Sequence, residues 1–180
     1  MKFANPAPLG LFGFAVTTWM LSMFNVKWFG PVEAFPLLMS TAFAFGGTAQ
    51  FLAGLLEYPR GNTFGFVAFC SYGAFWWAFA LYISGAFGKV ALLYLGAWLV
   101  VWAVFTLFMW FAALKRGFVL QLVFLTLWVA FLLLGLSHLL NMDVLHTTGG
   151  YIGMATAVLA FYLAAAEVIN EVYEKKVLPV

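Results

Sequence analysis

The sequence predicts an all-α integral membrane protein, with six transmembrane helices forming one domain over residues 1–180. Three observations carry that prediction. Of the residues, 66% are hydrophobic and only 8% charged, with a mean hydropathy of +1.05; a soluble domain needs about a quarter of its residues charged to keep its surface wet. The apolar residues gather into stretches of about 20, the length of one crossing of a hydrocarbon core. Between the stretches stand the charges, glycines and prolines that such a core rejects.

The six stretches run roughly over 8–25, 35–56, 64–87, 91–113, 118–139 and 149–171. Their separators are "NVKWFGPVE", "EYPRGN", "GK", "LKRG" and "HLLNMDVLHTTGG". Lys89 is the only charge between residues 61 and 114, so the third and fourth spans are the least sharply divided, but about 50 residues exceed one crossing. An even number of spans puts both termini and the second and fourth loops on one side. That side carries Lys2, Arg60, Lys115, Arg116, Lys175 and Lys176, against Lys27 and Lys89 on the other. The excess predicts cytoplasmic termini in the cytoplasmic (inner) membrane. Trp28, Tyr58, Trp110, Tyr151 and Tyr173 fall near predicted span ends, as an aromatic belt requires. The start, "MKFANPAPLG", lacks the pattern of a cleaved signal peptide, so the first span is expected to remain.

Six helices and their loops use nearly the whole chain and leave no room for a soluble catalytic domain. No phosphate loop, dinucleotide fingerprint or long basic arm is present, so ATP-driven pumping and nucleic-acid binding are not expected. A single cysteine, Cys70, excludes an intrachain disulfide and any multi-cysteine metal site. No cofactor is expected. A serine with a histidine, or paired aspartates, within the membrane would mark a protease; neither pair is present, and the chain is not expected to be an enzyme. A pore, a secondary transporter or a subunit of a larger assembly remains.

Polar groups inside a bilayer are costly, so each raises a question of function. Thr17, Thr18, Gln50 and Gln121 are candidates to line a polar pathway, although a lone membrane threonine more often bonds its own preceding turn. No Lys, Arg or His lies at a predicted span centre. An anion stopping there would therefore meet only helix N-termini, amides and hydroxyls, or would cross as the neutral acid. Glu57 and Glu167 sit near the cytoplasmic ends of the second and sixth spans, where snorkelling or pairing with Arg60 or Lys175 competes with a proton-coupling role. His138 and His146 flank the last external loop; with no second ligand pair and only Asp143 nearby, a metal or haem site is not expected, and a pH-sensitive surface role is the stronger reading. Gly46, Gly47, Ala49, Ala53 and Gly54 recur at helical spacings that permit close helix contact.

The opening "ANPAPLGLFGF" concentrates helix breakers before an apolar run. Asn5 is a preferred N-cap, Pro6 suits the first helical position and Pro8 still lies in the tolerated first turn. The remaining amides, such as that of Ala7, would face a cytoplasmic entrance with the positive end of the helix dipole behind them. Gly10 and Gly13 leave space beside these turns, and Phe14 is the first large residue above them.

These residues resemble a known family. "NPAPLGL" followed by Phe14, "GGTAQFLAGLLEYPRGNTFGFVAFCSYGAFW", "LFMWFAALKRGFVLQLVF" and "AFYLAAAEVINEVYEKKVLPV" are similar, in order, to segments of the acetate uptake transporter family, the YaaH/SatP-like acetate and succinate permeases. The resemblance implies a six-helix bundle around a narrow pathway in each protomer, a homo-oligomer that is a hexamer, and passage of acetate and other small carboxylates, with protons as a further partner. It implies a constriction at Phe14, Tyr72 and Leu127, and a substrate-size position at Ala160. The chain departs from some relatives at Ala164–Ala166 and in its Trp-rich third span. Against this reading stand a pore for neutral solutes such as urea or ammonia, and a non-transporting structural subunit.

Overall fold

The computed structural model describes residues 4–28 and 31–180, and of residues 31–34 the backbone only; Lys2, counted above among the cytoplasmic charges, lies outside the described residues. Among those residues, six helices are long and apolar enough to cross a membrane. They are α1 (Ala7–Asn25), a composite second span, α4 (Thr63–Ser84), α5 (Leu92–Ala113), α6 (Phe118–Leu140) and α7 (Asp143–Val172). The composite runs through α2 (Pro31–Thr41), a π-helical segment (Ala42–Ala49) and α3 (Gln50–Glu57). No strand occurs among the described residues.

The helix starts and stops follow local chemistry. Asn62 caps α4, its side-chain oxygen accepting from the Gly65 amide at 3.2 Å. Gly85 ends α4 in the left-handed region at φ 71°, where a residue without Cβ adopts the turn at no steric cost. The third span therefore stops at Ser84, three residues short of the predicted 87. At the start of α1 the N-cap is Pro6, with Ala7 the first helical residue, one position later than expected. Asn5 still contributes, because its side-chain oxygen accepts the Ala7 amide at 3.2 Å. That amide is thus satisfied within the chain and is not offered to an entrance.

The largest departure is α7, which begins at Asp143 where the sequence predicts a loop to 148. Thr147, Thr148, Gly149 and Gly150 are poor helix formers, but tertiary packing overrides propensity. A Cβ at Gly149 would fall 2.9 Å from Leu134, and one at Gly150 would fall 2.7 Å from Val26. The glycines let α7 lie against α6 and the end of α1. Asn141, in the left-handed region at φ 53°, makes the tight turn between α6 and α7. Tyr151 consequently lies more than two turns inside α7, while Trp28, Tyr58 and Tyr173 remain exposed near span ends.

The wide turn in the second span has a visible cause. Thr48 Oγ1 donates to the Phe43 carbonyl five residues back at 2.9 Å, and Trp77 Nε1 of α4 donates to the same carbonyl at 3.2 Å. A carbonyl drawn off the i−4 ladder favours the π register, which recurs at functional sites. Close packing holds the segment in place: a Cβ at Gly13 would fall 2.7 Å from the Phe45 oxygen, and one at Gly54 would fall 2.6 Å from the Cys70 nitrogen. The small residues of the second span thus bring backbones together. One buried cluster runs through the centre, joining Phe14, Tyr72, Phe75, Leu99, Phe124, Leu127, Phe131 and Ala160.

Candidate functional site: two cavities and the collar between them

Two cavities, each of about 240 Å³, enter the bundle from opposite ends. The one at the terminal end is bordered by Ala7, Gln50, Asn62, Arg116, Glu167 and Val180, together with apolar residues of α1, α4 and α6. The one at the far end is bordered by Thr18, Asn25, His138, His146 and a wall of aromatic side chains. Three residues line both: Phe14, Tyr72 and Leu127. They come from α1, α4 and α6, and each is at least 94% buried. Among the described residues these are the side chains common to the two cavities, and they stand between them as a collar.

The collar is closely packed and almost wholly apolar. The Tyr72 ring packs against Phe14 at 6.1 Å, Phe105 at 5.4 Å, Trp102 at 5.9 Å and Phe124 at 6.2 Å between centroids. Aromatic pairs at these spacings attract one another beyond the gain from burial alone. Its hydroxyl lies 2.8 Å from Thr106 Oγ1, which donates to the Trp102 carbonyl at 2.7 Å. With the threonine proton on that carbonyl, Tyr72 is the donor to Thr106. The tyrosine oxygen therefore keeps a lone pair, rather than a free O–H, as its open hydrogen-bonding group.

Among the described residues, the charged side chains that line a cavity, Arg116 and Glu167, border the terminal one. Glu57 is 1% exposed; its Oε2 pairs ionically with Arg60 Nε at 3.5 Å and accepts a hydrogen bond from Asn62 Nδ2 at 3.0 Å. This is the pairing with Arg60 that the sequence allowed. Glu167 pairs instead with Asn5, whose Nδ2 donates to its Oε2 at 2.9 Å. Asn62 Oδ1 also accepts from Arg116 Nη2 at 3.4 Å, and the Arg116 guanidinium rests 5.4 Å above the Phe64 ring. The mouth thus holds a guanidinium and a carboxylate fixed by amides, while the collar holds no ionisable group other than a tyrosine.

Among the polar candidates, Thr18 lines the far cavity and Gln50 the terminal one. Both carry a buried oxygen with no hydrogen-bond partner among the described residues, Thr18 Oγ1 and Gln50 Oε1. The other two turn elsewhere. Thr17 Oγ1 donates to the Gly13 carbonyl at 2.8 Å and packs on Gly46, and Gln121 Nε2 donates to the Arg116 carbonyl at 3.0 Å. Ala160 is fully buried in the cluster around the collar and borders neither cavity. Of Asn5, Pro6, Ala7 and Pro8, Ala7 lines a cavity, with Asn5 acting through Glu167 and Pro6 and Pro8 shaping the helix start. Sequence reasoning did not single out Phe75, Trp76 and Phe131 of the far wall, because an aromatic in a membrane helix faces lipid and pathway alike.

The last residues fold back onto the same end. Asn170 Oδ1 accepts from the Val177 and Leu178 amides at 2.7 and 2.8 Å, its Nδ2 donates to the Leu178 carbonyl, and the Tyr162 hydroxyl donates to the Pro179 carbonyl at 2.7 Å. Val180 thereby reaches the terminal cavity. Asn170→Ala removes three of these bonds; trypsin cleavage after Lys175 and Lys176, followed by mass spectrometry, is expected to run several-fold faster than in the parent, and an unchanged rate would show that Tyr162 alone holds the tail.

The family model described as the GPR1/FUN34/yaaH family matches residues 1–179. The chain belongs to the GPR1/FUN34/yaaH family. Among its relatives, the "Succinate-acetate/proton symporter SatP" of Escherichia coli strain K12 is 42% identical over 183 residues, covering 99% of this chain and 96% of that protein. The "Ammonia transport outward protein 2" of Saccharomyces cerevisiae is 38% identical over 178 residues, covering 92% of this chain and 61% of that longer protein. The solved "Structure of the bacterial acetate channel SatP" superposes with a TM-score of 0.94 at 42% identity, covering 99% of both chains. The all-helical, six-span reading of the sequence stands, and this member of the family is a multi-pass membrane protein.

Proposed function

We propose that this chain is a permease for acetate and related small monocarboxylates, with succinate at the upper end of its range, driven by the substrate gradient or linked to protons. The observation that carries the reading is the collar: Phe14, Tyr72 and Leu127 border both cavities, and a solute crossing between them passes these side chains. An apolar and aromatic ring admits a methyl group readily, and it resists a second carboxylate that would have to shed its water in the same space. Arg116 at the terminal mouth attracts an anion electrostatically before that step. Ala160, packed behind the collar, sets how far the ring can yield.

The names of the E. coli symporter and of the solved acetate channel support the substrate class. Proton linkage draws support from Tyr72 itself. A carboxylic acid can donate its own O–H to the open lone pair, whereas a carboxylate must draw the Tyr72 proton away from Thr106. In the cell we place both termini in the cytoplasm of an inner-membrane protein, on the positive-inside balance of the loops. We assign the assembly as a hexamer, with the exposed apolar faces meeting lipid or neighbouring protomers.

The test is uptake of radiolabelled acetate into liposomes holding the purified protein, at several imposed pH gradients. Uptake above that of empty liposomes, rising with an inward proton gradient, is the expected result. The yeast relative's name favours one second reading, a pore for ammonia. That reading predicts methylammonium flux insensitive to acetate. No flux of either solute from correctly assembled protein would leave the structural-subunit role.

A further inference from the structure

The far cavity holds a pair of side chains that the pathway does not use. His138, in the last turn of α6, and His146, in the first turn of α7, face each other across the tight Asn141–Met142 turn. Their rings stand 5.4 Å apart between centroids at an interplanar angle of 72°. Both line the far cavity and both are only partly buried. The sequence predicts a loop over 140–148 that leaves His146 outside any helix; the early start of α7 closes that loop to a turn and brings the rings together.

The state of one ring follows from its neighbour. Ser137 Oγ donates to the Leu134 carbonyl at 2.7 Å and lies 3.3 Å from His146 Nδ1. With the serine proton spent on Leu134, the imidazole is the donor, so neutral His146 carries its proton on Nδ1 and presents the Nε2 lone pair. This is the arrangement that orients metal-ligating histidines: one ring nitrogen donates to a neighbouring oxygen and the other is left to coordinate. The separation fits as well. Two imidazole nitrogens each about 2.0–2.1 Å from a tetrahedral ion put their ring centres roughly 5 Å apart.

We propose that His138 and His146 form a two-histidine site for a divalent transition-metal ion of the zinc or nickel type, and that an ion held there obstructs the far cavity. No group of three His, Cys, Asp or Glu side chains is assembled for a metal among the described residues, so water completes the coordination. The charged groups near His146 are Lys27, which opposes a cation, and Asp143, which favours one. Imidazole nitrogen suits zinc and nickel and is a poor ligand for magnesium or calcium. The ion would sit in the opening to solvent and be exchangeable. Binding is independent of the transport reading; only the block of flux rests on it.

The deciding experiment is calorimetric titration of the purified full chain with ZnCl2 and with NiCl2, beside His138→Asn, His146→Asn and Ser137→Ala, each checked for folding by thermal unfolding. Saturable binding of one ion per chain at pH 7.5 is expected, weakened at least tenfold in either histidine variant and about tenfold in Ser137→Ala, the size of effect that orienting partners carry. Binding should weaken as the pH is lowered, because protons compete with the metal for the ring nitrogens. MgCl2 should give no heat. Equal binding by the parent and a folded His146→Asn or His138→Asn, or no saturable binding by the parent, overturns the site. In liposomes, metal added at the far face should reduce acetate uptake in the parent and not in His138→Asn; binding without inhibition would keep the site and overturn the obstruction.

Discussion

Leu127→Ala is expected to raise the uptake of lactate and succinate relative to acetate by about tenfold, the equivalent of ~1.4 kcal/mol in barrier height. The side chain borders both cavities and is 6% exposed, so trimming it joins two spaces of about 240 Å³ into one. Loss of packing opposes the gain, since a buried Leu→Ala change costs about 2–5 kcal/mol of stability. Leu127→Val removes less and should shift the preference in the same direction by a smaller factor. Tyr72→Phe separates the two parts of the collar's work: the ring stays, and only the bond to Thr106 and the open lone pair are lost. It should keep the size preference while slowing acetate about fivefold, as expected for ~1 kcal/mol of hydrogen bonding. The checks are initial rates of labelled acetate, lactate and succinate uptake in liposomes, with assembly confirmed by size exclusion. If the ratio among the three solutes is unchanged in Leu127→Ala, the collar is not what selects.

The second large effect is structural. Gly54→Leu should lower the midpoint of thermal unfolding by about 10 °C, from ~3 kcal/mol of overpacking. Gly54 faces the backbone of α4 so closely that even a Cβ would fall 2.6 Å from the Cys70 nitrogen. Backbone cannot swing aside as a side chain can, so α3 and α4 must part. Leu55→Met, one residue on and 45% exposed, is the control and should leave the midpoint within a degree or so. Intrinsic tryptophan fluorescence on heating in detergent reads both. A midpoint unchanged in Gly54→Leu would mean that the α3–α4 approach contributes nothing to stability.

The spans were legible in the sequence because a hydrocarbon core imposes a length and excludes charge, and both leave marks in composition. Phe14, Tyr72 and Leu127 were singled out by family resemblance alone: nothing in their spacing distinguishes them from other large residues in a chain with 22 Phe and 8 Trp. What escaped depends on contacts between distant segments. The π-helical segment rests on Trp77 reaching the Phe43 carbonyl, and α7 starts early because Gly149 and Gly150 fit against α6 and α1. Thr17 and Gln121 were read as pathway candidates from their polarity, yet each is satisfied by a backbone carbonyl nearby. Polarity marks a group that needs a partner; it does not say whether that partner is a solute or the chain.

The strapped tail has a practical side. Because Asn170 and Tyr162 hold residues 177–179 in place and Val180 borders the terminal cavity, anything fused after Val180 begins at the mouth of that cavity. A purification tag or fluorescent reporter at that end therefore changes the surroundings of the mouth, and rates from such fusions should be compared with those from protein whose tag has been cut away.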